Sequence, residues 1–409
     1  MPITALQAFL GMNNRLPPDK LSSKEGAFLS SATNVNVTSV GTIRRRDGTA
    51  VAIPGADCHS LWAHGDMAFM VDEGMLYRIT GPADAPEKTA VAPVTPTLHM
   101  SYAEVNGEVY ASNGVQSFRI TADDVFALGI QPPVSAPTVV AATGGILPAG
   151  IYRVAVSHVA ADGEEGPTTF PVTVDVPENG VLTIGSIPQR AGYLTSIYIA
   201  AQNDDVFFRA AETTDATLVL PVFPTQGARP IGLLMATMPA GRIVRYLNGR
   251  LLVASGDTLF YSLPYAHGLF NPAAGYIQFP ETITMVEPCQ NGFYLSADQT
   301  YWVDGEFPNS DLNPVLPYRA VEGTAAQVPN DNSVWWMSER GVVIGTQDGQ
   351  VKNVQEDNVA VEVAIAGASM YREQDGMKQM VSSLFGPKST VLTARSYMEA
   401  EVIRKETAL

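Results

Sequence analysis

The sequence predicts an all-β protein, a six-bladed β-propeller that carries an inserted β-sandwich. Three observations predict it. A unit of apolar strands separated by tight polar turns returns about every 42 residues, the period of a propeller blade. One interval between units is longer than the rest by 100 residues, the size of a small domain. Finally, 35 Gly and 29 Pro supply turns while no long stretch keeps clean helical periodicity.

The repeat reads HGDMAFMVDEGMLYRIT from His64, VNGEVYASNGVQSFRI from Val105, LNGRLLVASGDTLFYS from Leu247, QNGFYLSADQTYWVD from Gln290 and DNSVWWMSERGVVIG from Asp331. A weaker copy, QDGMKQMVSS, starts at Gln374. The turn anchors Gly65, Gly107, Gly249, Gly292, Ser333 and Gly376 lie 42, 142, 43, 41 and 43 residues apart. The excess falls after Pro132 and Pro133, where 136–222 alternates short apolar strands with turns: IYRVAVSHV at 151–159, ADGEEG at 161–166, TTFPVTVDV at 168–176, SIYIAAQ at 196–202, then VFFRAAE and TLVLPVF. That pattern is expected of an immunoglobulin-like sandwich. The expected division is an N-terminal arm (1–31), a first propeller part with a closing hairpin (32–133), the sandwich (134–222) and a second propeller part (223–409).

The arm contains Asn13-Asn14 and Pro17-Pro18, which exclude a regular helix. NVNV and TIRRR around Gly41 read as a hairpin. Pairing it with the last repeat would close the ring and remove open sheet edges. Segments near 25–33 and 397–405 are the two places where a short helix would fit, although SYMEAEVI also alternates as a strand does. Arg44, Arg45 and Arg46 cannot share one face of a strand. They read as partners of Asp47 and neighbouring acidic loops, or as an anchor for an adjacent subunit.

A net charge of −16, from 41 acidic and 25 basic residues, argues against a protein that grips phosphate. Cys58 and Cys289 form no C-x-x-C pair and read as buried small apolar residues in a reducing compartment. The N-terminal residues lack the pattern of a secretory signal, and no apolar run approaches the ~20 residues that span a bilayer. Synthesis in a cytoplasm is expected.

Catalytic constellations are weak. His59 and His64 are the only close pair among five histidines, with no carboxylate pattern to complete a metal site. GPKST at 386–390 lacks the upstream glycine of a phosphate loop, and there is no G-x-S-x-G elbow. The doublets Asp123-Asp124, Glu164-Glu165 and Asp204-Asp205 sit in expected loops, where paired carboxylates are solvated or bind calcium weakly. Trp302, Trp335 and Trp336 lie inside repeat strands and read as core, with a sugar platform as the alternative. No catalytic residue, cofactor or metal ligand is expected, and no enzymatic activity.

Two resemblances add to this reading. The YRVAVSHVAADGEEGP hairpin and the IYIAAQNDDVFFRAA pair resemble a fibronectin type III module, without the Trp that many such modules bury. The segments GMNNRLP, ATNVNV and IRRRDG, with EAEVIR near the C-terminus, resemble virion proteins of tailed bacteriophages. In architecture the similarity is to the propeller tail-hub, or nozzle, proteins of short-tailed phages. That resemblance implies a structural tail subunit in the virion that forms a closed ring with itself, with six copies expected. It implies contacts with an adaptor and tail fibres, and a channel through which duplex DNA passes without tight binding. The alternatives are a receptor- or glycan-binding component of a long tail and a carbohydrate-active propeller enzyme.

Overall fold

The computed structural model describes residues 8–48, 50–82, 84–329, 331–360, 364–374, 377–386 and the backbone of 397–403. Among the described residues the chain is all-β apart from a 3-10 turn at Pro18–Lys20. It divides into two compact units: Met1–Asp57, Arg78–Thr89 and Phe279–Leu409 form one, Cys58–Tyr77 and Ala90–Gln278 the other.

The N-terminal stretch folds back on itself. β1 (Phe9–Met12) pairs in parallel with β2 (Ala27–Leu29), and β3 (Val35–Val37) pairs with β4 (Ile43–Arg45). The Phe9 N–H donates to the Gly41 carbonyl at 2.7 Å, tying the two pairs together. Two expectations are corrected here. The segment near 25–33 contains a strand, not a helix, because β2 finds a partner in β1. The β3–β4 hairpin does not complete the last repeat sheet; it stays a two-stranded sheet, and the chain's own C-terminal strand fills the place assigned to it.

Each repeat unit becomes one small antiparallel sheet. The first runs β5 (His59–His64), β6 (Met67–Asp72), β7 (Met75–Thr80), β8 (Glu87–Pro93), and the second β9 (Ser101–Val105), β10 (Glu108–Ser112), β11 (Ser117–Ile120), β12 (Val125–Ala127). The next seven strands form the inserted sandwich: β13 (Thr138–Leu147), β14 (Gly150–Ala160), β15 (Val172–Val176), β16 (Gly180–Gly185), β17 (Tyr193–Ala200), β18 (Phe207–Thr213) and β19 (Leu218–Leu220). After it, β20 (Ala236–Thr237) pairs with β24 (Leu269–Phe270). The third repeat sheet is β21 (Ile243–Leu247), β22 (Arg250–Ser255), β23 (Thr258–Tyr261) and β25 (Tyr276–Gln278). The fourth is β26 (Met285–Cys289), β27 (Gly292–Ser296), β28 (Thr300–Asp304), β29 (Leu312–Leu316), and the fifth β30 (Ala326–Gln327), β31 (Val334–Ser338), β32 (Gly341–Gly345), β33 (Val351–Asn353). The sixth has three strands, β34 (Ala366–Gln374), β35 (Met377–Phe385) and β36 (Tyr397–Ile403), so the described part of the 397–405 segment is a strand.

Neighbours in sequence are neighbours in each repeat sheet because the turns are only a few residues long and carry the right chemistry. At Asn106-Gly107 and Asn248-Gly249 both residues have positive φ, the conformation that twists a two-residue hairpin correctly. The middle strands are apolar on both faces because both faces are covered. In β31, Val334 and Trp336 enter a core with Met285, Tyr294 and Trp302, while Trp335 and Met337 enter a second core with Met380 and Leu384. In β10, Val109 and Ala111 join Phe69, Val71 and Leu76, whereas Tyr110 faces Val244, Leu251 and Val253. A period of two thus serves two cores per strand.

The sandwich has its own core, shared between a three-stranded sheet (β13-β16-β19) and a four-stranded one (β15-β14-β17-β18). Tyr152, Val154, Val156, Ile197 and Ile199 from one sheet meet Leu147, Leu182 and Ile184 from the other. Its first strand pairs with the fourth, whereas in the constant-type immunoglobulin order the first pairs with the second. The outer face of the four-stranded sheet is covered in turn: Ala155, Tyr198, Ala200 and Phe207 pack with Leu233, which follows the sandwich in sequence.

Candidate functional site

Two clusters join distant parts of the sequence. In the first, the N-terminal GMNNRLP segment meets residues 355–360. Asn13 is 2% exposed. Its Oδ1 accepts from the N–H groups of Arg15 and Leu16, closing a tight turn, and its Nδ2 donates to Asn358 Oδ1 at 3.1 Å. Asn14 then reads the backbone beyond: Nδ2 donates to the Ala360 carbonyl at 3.0 Å and Oδ1 accepts the Ala360 N–H at 2.7 Å. The Asn14 N–H also donates to the Asn358 carbonyl.

The three arginines of the 44–46 run have separate surroundings. Arg44 lies 3.5 Å from Asp47, both exposed, so the pair contributes little. Arg46 donates from Nε to Asn36 Oδ1 at 3.3 Å. Arg45 is exposed on a strand register-paired with Val35.

The second cluster centres on Arg119 of β11. Its guanidinium lies 3.2 Å from Glu108 Oε1 and 3.4 Å from Glu164 Oε2, contacts Asp162, and stacks over Phe126 at 4.8 Å. Its Nε–H is buried without an acceptor among the described residues. Glu108 and Arg119 belong to the second repeat sheet; Asp162 and Glu164 belong to the ADGEEG turn of the sandwich. Glu108 Oε2 accepts from the Tyr110 hydroxyl at 3.1 Å, and that hydroxyl lies 3.1 Å from His267 Nδ1. His267 Nε2 is 3.3 Å from the Gly249 carbonyl. Burial pushes the Glu164 carboxyl above the usual range, with Arg119 opposing it, and holds the His267 imidazole below its usual value.

The Glu164-Glu165 doublet is therefore half-buried and engaged rather than solvated. Glu165 accepts from Ser157 Oγ at 2.9 Å, and burial raises its carboxyl too. Spacing alone held no signal for this, since each partner is remote in sequence. Asp123-Asp124 and Asp204-Asp205 remain in exposed turns, with Asp205 2.8 Å from Arg153.

The remaining candidates have other occupations. His59 bonds Ser60 and the Pro96 carbonyl, while His64 lies 3.7 Å from Glu104; no metal-holding group of three ligands occurs among the described residues. Trp302, Trp335 and Trp336 are buried. Cys289 is buried, with burial and Glu287 raising its thiol to about 12. Cys58 is exposed, against expectation, because it precedes β5 in an irregular stretch. Most of the GPKST segment, the turn anchor Gly376 and Arg404 of EAEVIR lie outside the described residues. An open cleft of about 290 Å³ beside β31 and β32 is lined by Asp331, Ser333, Trp335, Thr346 and Asp348. Its carboxylates are already engaged, Asp331 by Lys378 at 2.8 Å and Asp348 by Asn291 at 2.7 Å.

No protein-family model and no curated protein matches the sequence. Among solved structures, the chain is similar to the WD40 β-propeller domain of Doa1 (10% identity, 79% of this chain and 89% of that chain, TM-score 0.31). It is also similar to the Neurospora crassa Pan2 WD40 domain (9%, 79% and 85%, TM-score 0.34) and to BBS1N in complex with ARL6DN (12%, 88% and 95%, TM-score 0.33). These likenesses are faint. No helix among the described residues is long and apolar enough to cross a membrane.

Proposed function

We propose that this chain is a structural subunit of a bacteriophage tail, a nozzle or hub protein whose six repeat sheets are the blades of a propeller with a fibronectin type III-like insert. The observation that carries the reading is the GMNNRLP segment: its Asn pair is bonded to Asn358 and Ala360, so the part of the sequence that resembles phage virion proteins is built into the fold. The polar inventory fits a scaffold as well. The carboxylates of the open cleft and of the Arg119 cluster are committed to internal partners.

The mechanism is geometric. A single propeller is too narrow at its centre for duplex DNA, so the conduit lies between subunits, here six, arranged about an axis with heterologous contacts that close. Carboxylates on its wall repel phosphate, and screening over about 8 Å confines that effect to wall residues. Arg44 and Arg45, exposed on β4, are the anchor for an adjacent acidic subunit; adaptor and fibre proteins cap the ring.

Native mass spectrometry and negative-stain images of the purified chain, with antibody labelling of virions, test this. A closed ring and label on the tail support it. A monomer at micromolar concentration that is absent from virions overturns it.

A further inference from the structure

The sixth repeat sheet is one strand short of the others. Five repeat sheets hold four strands each, whereas β34, β35 and β36 make up the sixth among the described residues. β36 is an open edge: its seven residues pair with β35, and no described strand lies beyond it. A strand bonded on one side only turns alternate N–H and C=O groups outward, where they form a template for another strand. One row of the sheet runs from exposed Met370 through half-buried Val381 to Glu401 at that edge. The row stops where a fourth strand would continue it.

The β3–β4 hairpin has the converse deficiency. No third strand joins it among the described residues, and none of the residues of its two strands is buried. Two strands alone are marginal in water, and a further strand or a packed face is what stabilises them. In its own chain the hairpin is paired with no strand of the sixth sheet. The Phe9–Gly41 bond and the bonds of Asn13 and Asn14 tie the N-terminal layer to Asn358 and Ala360. Those residues lead toward β34, and β34 is the opposite edge of that sheet from β36.

Charge decides which strand enters. β36 has the sequence YMEAEVI, with Glu399 and Glu401 and no cation, whereas β4 ends in Arg44 and Arg45, both exposed. Opposite charges across a strand pair stabilise it, and like charges directly opposite destabilise it. β36 against β36, or β4 against β4, sets like charges together; β4 against β36 matches them. We propose that β4 of one copy of this chain adds to β36 of the next, as the missing fourth strand of its sixth sheet. This rests on the ring proposed for the tail subunit and specifies its joint. Main-chain bonds supply the hold, as in other strand additions, and the charges select the partner edge. A contact between two different edges is heterologous, so it repeats around an axis and closes.

The test exchanges the charges in the full-length chain and reads assembly by native mass spectrometry and sedimentation velocity. Arg44→Glu with Arg45→Glu makes both edges acidic; Glu399→Arg with Glu401→Arg makes both basic. Each variant alone is expected to lose about a hundredfold in self-affinity, because every joint then sets like charges together. Mixed in equal amounts, the two present acid to base at every joint, and rings with equal numbers of each are expected to return. Amide protection of 397–403 in the wild type should rise on assembly and fall on dilution. A wild-type ring that both variants leave intact overturns the strand contact while the ring itself stands. A mixture that stays monomeric, or protection of 397–403 that ignores assembly, also overturns the contact. A wild-type chain that is monomeric at micromolar concentration overturns both the contact and the ring.

Discussion

The side chain of Asn14 imitates a strand neighbour to Ala360: its Nδ2 donates to the Ala360 carbonyl at 3.0 Å and its Oδ1 accepts the Ala360 N–H at 2.7 Å. A carboxamide is the side chain that can satisfy both backbone groups of one residue. The N-terminal segment is thus held to Asn358 and Ala360 by side-chain bonds and by one backbone bond, Asn14 N–H to the Asn358 carbonyl, without a shared sheet. The same interaction makes the Asn13-Asn14 motif part of the fold's own stability.

Asn14→Ala should lower unfolding free energy by about 1–2 kcal/mol, because the bonds are partly solvated and the Ala360 groups become free to bond water. Asn14→Asp should do nearly as much harm, since a carboxylate faces the Ala360 carbonyl without a donor. Chemical denaturation measures both. Removal of residues before Gly48 should lower the melting temperature more than either substitution; an unchanged value would show that the N-terminal layer adds nothing.

Trp336→Ala should be the most damaging single core change of the fourth and fifth sheets, costing about 3–5 kcal/mol. The indole is fully buried between Tyr294 and the β32 strand. Trp336→Phe should recover much of the loss, since Trp336 Nε1 has no acceptor among the described residues. Urea midpoints decide it.

The pH dependence follows from His158 and His267. Burial lowers both below the ordinary 6.5, so the unfolded chain takes up protons that the folded chain refuses. Their contribution is present above 6.5 and is lost as pH falls from there through the folded values. Glu164 and Glu165, raised by burial, act with the opposite sign as pH falls toward 4.5. Urea midpoints should therefore drop first just below neutrality, and the His158→Gln, His267→Gln chain should flatten that drop.

Thiol labelling of the native chain should modify Cys58 rapidly and spare Cys289. Cys58 is exposed, whereas Cys289 is buried with its thiol raised to about 12, and the thiolate is the reactive species. Mass spectrometry should find one adduct in buffer and two in denaturant. Rapid double labelling without denaturant would contradict the packing of β26.

Duplex DNA should bind negligibly at physiological salt, because a chain of net charge −16 has few cations to exchange for counterions. Fluorescence anisotropy against salt reads this. Micromolar affinity with a steep salt slope would remove the conduit mechanism.

Local sequence determined the repeat sheets. Asn-Gly pairs fix hairpins over two residues, and strands such as FYLS and VWWM carry apolar groups on both faces, so each unit forms its meander wherever it stands. The sandwich was legible for the same reason, as alternation between turns from 138 to 220. Only tertiary structure decided what depends on remote partners. The 25–33 segment becomes a strand because β1 is beside it, and the β3–β4 hairpin stays apart because β36 pairs with β35 along seven residues. Glu164 looks like any loop carboxylate until Arg119, Gly268 and Gly129 surround it. Asn14 looks like a turn residue until Ala360 meets it. Period and turn chemistry are properties of a few adjacent residues; burial, charge pairing and proton affinity belong to groups that meet only once the chain is folded.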